Sequence, residues 1–168
     1  MIGLRRGAVR LEPHTELWHR LYAEEEARLR AAVGGRVVAF EHVGSTAVCG
    51  ISAKPIIDIA AAVLDAAEAE RCVGPLQAIG YEYRGDGGIA GRFYFVKGEQ
   101  RTHHLHMSEL GSDIWRNHLA FRDYLRQHPT AADEYERLKR DLASKYRNDR
   151  GAYTEGKAAF IEAILKLV

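Results

Sequence analysis

The sequence predicts an α+β fold: a mixed, largely antiparallel five-stranded sheet with helices at the N-terminal and C-terminal ends. Three observations lead there. Apolar residues recur at helical spacing in the first and last parts of the chain. Between them, five short segments have the alternating or continuous apolar pattern of strands. The last three of these are joined by Gly-rich links too short for parallel crossovers, so they should pair antiparallel. With 168 residues, 46% apolar and 28% charged, the chain suits one compact domain over 1–168.

Residues 14–33 carry Leu17, Leu21, Leu29, Ala32 and Val33 among Glu and Arg, an amphipathic helix stopped by Gly34-Gly35. Val37–Phe40 reads as a strand running into Glu41-His42-Val43-Gly44-Ser45, and a loop follows up to Lys54-Pro55. Ile56–Val63 is nearly continuous in apolar residues, which marks a central strand covered on both faces. Asp65 with Glu68 opens a helix bearing Ala69, Cys72, Val73, Leu76 and Ile79, and Pro75 predicts a break near Gly74. Tyr81–Arg84, Arg92–Lys97 and Thr102–Ser108 are the remaining strands. Three helices follow at 112–128, 130–147 and 154–167, the first closed by Pro129.

The charge balance is nearly even, 24 basic against 23 acidic side chains for a net +1. Such a chain has no general drive toward nucleic acid or anionic membrane, so any phosphate recognition must be local. No run approaches the ~20 apolar residues of a membrane span. Met1–Arg10 is basic but leads into no signal-peptide apolar region, so the cytoplasm is the expected compartment. Cys49 and Cys72 form no metal-binding spacing. Cys72 lies on an apolar helical stripe and should be buried, whereas Cys49 sits in a Gly-rich segment. The oligomeric state is not legible.

The most informative constellation is Gly44-Ser45 followed thirteen residues after Ser45 by Asp58 on a buried strand. Glycine lets backbone approach a phosphate, and a serine hydroxyl with loop N–H groups can bind its oxygens. A carboxylate on the next strand can hold a metal over that phosphate. Buried in so apolar a strand, Asp58 needs a partner, and the alternative is a structural acceptor for loop N–H groups. Lys54 at the mouth of that strand is either a phosphate ligand or a solvated lysine. Arg92 and Arg101 bracket the last strands and can supply anion contacts. Arg122, Asp123 and Arg126 have the spacing of intrahelical ion pairs, and Trp115, Phe121 and Tyr124 read as core.

The run from Glu41 to Ile59 resembles the signature of the GrpB family, whose usual stretch reads EHIGSTAVPGLAAKPIIDI; Cys49 stands at its proline. The likeness continues in Arg101–His106, Phe121–Arg126, Tyr153 and Lys157. The resemblance implies a nucleotidyltransferase-type sheet of the DNA polymerase beta-like kind and binding of a nucleotide or other phosphate-bearing small molecule. It implies nucleotidyl or phosphoryl transfer with Ser45 and Asp58 in the catalytic positions and Gly44, Ser45 and Thr46 on phosphate. The superfamily pattern places a second carboxylate two residues after the first, and this chain has Ala60 there. A two-magnesium site cannot form in its usual way without that acid.

His104 and His106 share a strand face by alternation and stand where a third acid is expected. With Asp58 they make a carboxylate–imidazole set, better suited to zinc, manganese or iron than to magnesium. Their alternative is a hydrogen-bonded polar strand face without metal. A noncatalytic nucleotide-binding or interaction module and a metal-dependent phosphohydrolase are the competing functions.

Overall fold

The computed structural model describes residues 1–168. Its element order is α1 (Leu17–Val33), β1 (Val37–Val43), β2 (Ile57–Val63), α2 (Ala66–Ala78), β3 (Tyr81–Tyr83), β4 (Phe93–Lys97), β5 (His103–Glu109), α3 (Asp113–Gln127), α4 (Pro129–Lys145) and α5 (Arg150–Leu165). The strands form one sheet in the order β1-β2-β5-β4-β3. Only β2 and β5 run parallel; the other three pairings are antiparallel. The predicted mixed, largely antiparallel five-stranded sheet is the sheet observed, and β2 lies inside it.

Alternation along the strands sorts the side chains into two layers. Ile57, Ile59, Ala61 and Val63 of β2 face one way, with Phe40, Phe95, Leu105 and Met107 from neighbouring strands. The α1 residues Trp18, Leu29 and Val33 and the α2 residues Ala69, Cys72 and Leu76 close this main core. On the other face, Val43, Ala60 and Ala62 pack under Trp115 of α3. Further along, Val48 and Ile51 of the loop between β1 and β2 pack with Leu125 of α3 and Ala132 and Tyr135 of α4. The loop is thus held from the helical side.

Several boundaries differ from the sequence expectation, each for a local reason. Helix α1 begins at Leu17, not residue 14, and its buried stripe runs through Trp18 while Leu17 is exposed. The Thr15 hydroxyl and carbonyl accept from Leu17 and Trp18 N–H, so His14 and Thr15 stay outside the helix. No break occurs at Pro75, which lies inside continuous α2. The carbonyl it leaves free belongs to solvent-exposed Arg71, while Ala69, Cys72 and Leu76 pack the helix onto the sheet. Pro129 opens α4 at its first turn, where its missing N–H costs nothing. Helix α5 begins four residues before the expected 154, because Asp149 caps it by accepting from Ala152 N–H at 3.0 Å. No helix is long and apolar enough to cross a membrane.

Candidate functional site

Strand register builds the floor of the site. Asp58 of β2 stands beside His104 of β5, Ala60 beside His106, and Tyr94 of β4 beside His106. All five point to the face opposite the main core. The His104 Nδ1 atom lies 3.2 Å and His106 Nε2 3.1 Å from the same oxygen, Asp58 Oδ1. Burial opposes the charge on Asp58, but hydrogen bonds from His104 and His106 outweigh it and hold the carboxyl well below its usual range. Arg92 Nη1 lies 3.3 Å from His106 Nδ1. A guanidinium can only donate, so His106 Nδ1 accepts and its Nε2 carries the proton given to Asp58. The His118 ring of α3 lies 4.6 Å from His106, and burial, reinforced by His106, pushes its pKa down to about 3.

The Gly44-Ser45 turn forms one wall. Gly44 has φ of 71°, and a Cβ built on it would stand 2.7 Å from Asp58 Oδ2. Only glycine allows the loop to pass this close to the carboxylate. We expect Gly44→Ala to cost about 1–3 kcal/mol from the strained φ and contact, read by chemical denaturation. An equally stable variant would show that the turn is free to move away.

Beyond Gly44, Ser45 begins a single 3₁₀ turn through Ala47. Thr46 turns away from the site, contrary to its expected place on phosphate. Its side chain is buried against His42, with Oγ1 and Nε2 2.9 Å apart, so only its backbone N–H remains for a ligand. Burial, reinforced by His19, pushes His42 down to about 3, and it lies on the α1 face. Glu41, on the opposite strand face, accepts from Arg122 Nη1 at 2.6 Å.

Arg122 and Arg126 form the expected intrahelical ion pairs with Asp123 and also reach beyond the helix. Arg122 donates to His42 O at 3.0 Å and Arg126 to Ala47 O at 2.7 Å. Arg122 pins α3 to the end of β1 and Arg126 pins it to the site loop. At the loop's other end, Glu136 accepts from Ser52 N–H at 2.8 Å, and Lys139 donates to Ser52 O. The sequence gives no sign of these long-range partners, since such spacings suit local pairs equally well.

Cations line the remaining wall. The Lys54 and Lys157 ammonium groups sit 5.1 and 4.5 Å from the Tyr153 ring centre. Burial, then the charges of Lys157 and Arg150, push Lys54 down to about 7. Burial also takes Lys157 to about 8, although Asp58 opposes the shift. Arg150 Nε and Nη1 are buried without a hydrogen-bond partner. Arg150 and Arg101 open onto a groove of about 620 Å³ that Arg6 also lines. Arg92 lies 4.4 Å over the Tyr94 ring and donates to Asp86 O and Gly87 O.

Lys157, Tyr153 and Arg150 had no role in the sequence reading, although Tyr153 and Lys157 belong to the family likeness. Their spacing puts them on one helical stripe. Starting α5 at residue 154 had cut that stripe in two. Ala60, two residues after Asp58, is 1% exposed beneath Trp115, Val43 and Ala62.

The family described as GrpB protein matches residues 8–167. The glutamate-rich protein GrpB of Alkalihalophilus pseudofirmus is 39% identical, with 98% of each chain covered. The UPF0157 protein YqkA of Bacillus subtilis is 41% identical over 89% of this chain, which spans only 44% of YqkA's length. Among solved structures, the conserved protein GrpB of Enterococcus faecalis superposes with a TM-score of 0.87 at 35% identity, covering 94% of this chain and 96% of that one. Cid1 in complex with its short product ApU gives a TM-score of 0.55 at 13% identity, covering 86% of this chain and 48% of Cid1. The Cid1 likeness shows a nucleotidyltransferase-like fold and nothing of activity. Matched over nearly its whole length, the chain belongs to the GrpB family.

Proposed function

We propose that the site binds a nucleotide or other phosphate-bearing small molecule, with phosphates against the Ser45 turn, Lys54, Lys157 and Arg150. The observation that carries this reading is the cation cluster short of counter-charge. Two lysines with lowered pKa values and an arginine with unpartnered buried N–H groups face a single acid, Asp58. A polyanion would restore both lysines to full charge and satisfy the guanidinium. Affinity should therefore weaken as pH rises through about 7 to 8, where the free lysines lose their protons. A Cid1 structure is described as bound to MgATP, which agrees with a nucleotide as ligand.

One divalent metal on Asp58, His104 and His106 belongs to the same proposal. Donors on a tetrahedral zinc stand about 3.3 Å apart; Asp58 Oδ1 lies 3.2 and 3.1 Å from the two imidazole nitrogens, and all three donors lie within 4.8 Å of one another. The outer environment of His106 is less suited. Metal on Nε2 requires the proton on Nδ1, where Arg92 now donates, and metal-bound histidines need an acceptor there. Arg92 must therefore leave His106 before a metal binds, and a phosphate is the acceptor that would draw it away. Metal and phosphate ligand should consequently strengthen each other's binding. The metal would supply positive charge to the phosphate oxygens. Two-magnesium transfer is disfavoured by the apolar packing over Ala60, so binding, with or without a single-metal reaction, is the supported function.

Calorimetric titration with a non-hydrolysable nucleoside triphosphate, with and without Mn²⁺, tests the proposal. Lys54→Ala, Lys157→Ala and Ser45→Ala should each weaken binding by about 1–3 kcal/mol, the range for hydrogen bonds to charged groups. Arg92→Ala should take up Mn²⁺ without nucleotide, whereas the unmodified protein should need both. Undiminished binding in all three phosphate-side variants would place the ligand elsewhere.

A further inference from the structure

We propose that His14, Glu16, His19 and Cys49 form a second metal site, for zinc, joining the start of α1 to the loop that follows the Gly44-Ser45 turn. One donor atom from each of the four lies within 4.8 Å of the others. Cys49 Sγ is 3.8 Å from His19 Nε2, and His14 Nε2 is 3.5 Å from Glu16 Oε1. Tetrahedral zinc separates nitrogen, oxygen and sulfur donors by about 3.3–3.6 Å, so small side-chain adjustments complete the cage. The set contains a thiol, two imidazoles and a carboxylate, which selects zinc over the hard cations magnesium and calcium.

Two independent features point to a ligand here. Both ring nitrogens of His14 are buried and make no hydrogen bond, with the Glu16 carboxylate 3.5 Å from Nε2 the charged neighbour, an expensive state for an imidazole. Cys49 is a free, exposed thiol, and it stands where the GrpB stretch has proline. The thiol ligand is therefore a departure of this chain from the family stretch. Local structure favours the arrangement: His14 and Glu16 precede α1, and His19 lies in its first turn, so three donors sit within six residues. Cys49 closes the set from thirty residues away.

The site is distinct from the Asp58 cluster, because it lies on the α1 side of the sheet. It touches the phosphate turn from behind. The His19 ring is 5.2 Å from His42, whose Nε2 is bonded to the Thr46 hydroxyl at 2.9 Å. Zinc would thus tie the turn carrying Ser45 to α1.

Metal-stripped full-length protein titrated with Co²⁺ and Zn²⁺ tests this. Cobalt should give tetrahedral visible bands and a thiolate-to-cobalt charge-transfer absorption. Cys49→Pro, the residue of the GrpB stretch, should fold, lose the charge-transfer band and bind zinc at least ~10-fold more weakly. His14→Ala with His19→Ala should do the same, while Asp58→Asn should keep the band. Zinc should raise the thermal midpoint of the unmodified protein but not of Cys49→Pro. An absent charge-transfer band would overturn the site, as would zinc uptake lost only in Asp58→Asn. Neither outcome bears on phosphate binding at Asp58, which is read separately.

Discussion

Replacing Glu25 with Ala should destabilise the protein by about 3–5 kcal/mol, the cost of leaving a buried charge without its partner. Glu25 is fully buried in the middle of α1. Its Oε1 accepts from Lys97 Nζ at 2.6 Å and from the Tyr81 hydroxyl at 2.8 Å, and its Oε2 accepts from Arg28 Nη1 at 3.2 Å. Burial opposes ionisation, but the Lys97 hydrogen bond leads the groups that hold the carboxyl below its ordinary value. Its contribution is therefore present above about pH 4.5 and lost as pH falls through the depressed value. In the variant, Lys97 and the Tyr81 hydroxyl lose their shared acceptor at the edge of the main core. Exposed Glu24→Ala should change stability by less than about 0.5 kcal/mol. Urea denaturation at neutral pH compares the two, and a loss below ~1 kcal/mol for Glu25→Ala would mean that water reaches Lys97 and Tyr81 directly.

The contrast between Glu24 and Glu25 shows where sequence reading stops. In Glu24-Glu25-Glu26 nothing separates the buried acid from its neighbours, because its partners come from β3 and β4, far along the chain. For Arg122 and Arg126 local spacing indicates the Asp123 pairs that form, while their bonds to His42 O and Ala47 O depend on tertiary placement. What was legible rests on short-range periodicity. The apolar run Ile56–Val63 indicated an interior strand, and alternation put His104 and His106 on one face. Whether that face also holds Asp58 depends on the parallel pairing of β2 with β5, which no spacing reveals. The Arg150–Tyr153–Lys157 stripe lies at helical spacing, but it becomes one face only once Asp149 caps α5 at Arg150.

Ala60→Asp should not create a two-metal enzyme; it should destabilise the fold by about 1–3 kcal/mol, the range for burying a polar group without adequate partners. The substitution supplies the carboxylate that the sequence pattern expects two residues after Asp58. The geometry argues against it. Ala60 is 1% exposed in an apolar cluster with Val43, Ala62 and Trp115, so the added carboxyl must displace the indole or meet it. Glu41 pairs across from Ala60 on β1, adding a like charge on the same face, although Arg122 neutralises much of it. His106, the neighbour on β5, already gives its proton to Asp58 and faces Arg92 on its other side. His106 could therefore serve the new acid only by giving up its bond to Asp58. The acid's pKa should rise through burial, leaving it neutral and a poor magnesium ligand near pH 7. Thermal unfolding with a magnesium-dependent nucleotidyl-transfer assay reads both consequences. Unchanged stability together with new turnover would show that the Trp115 cluster yields readily to a metal site.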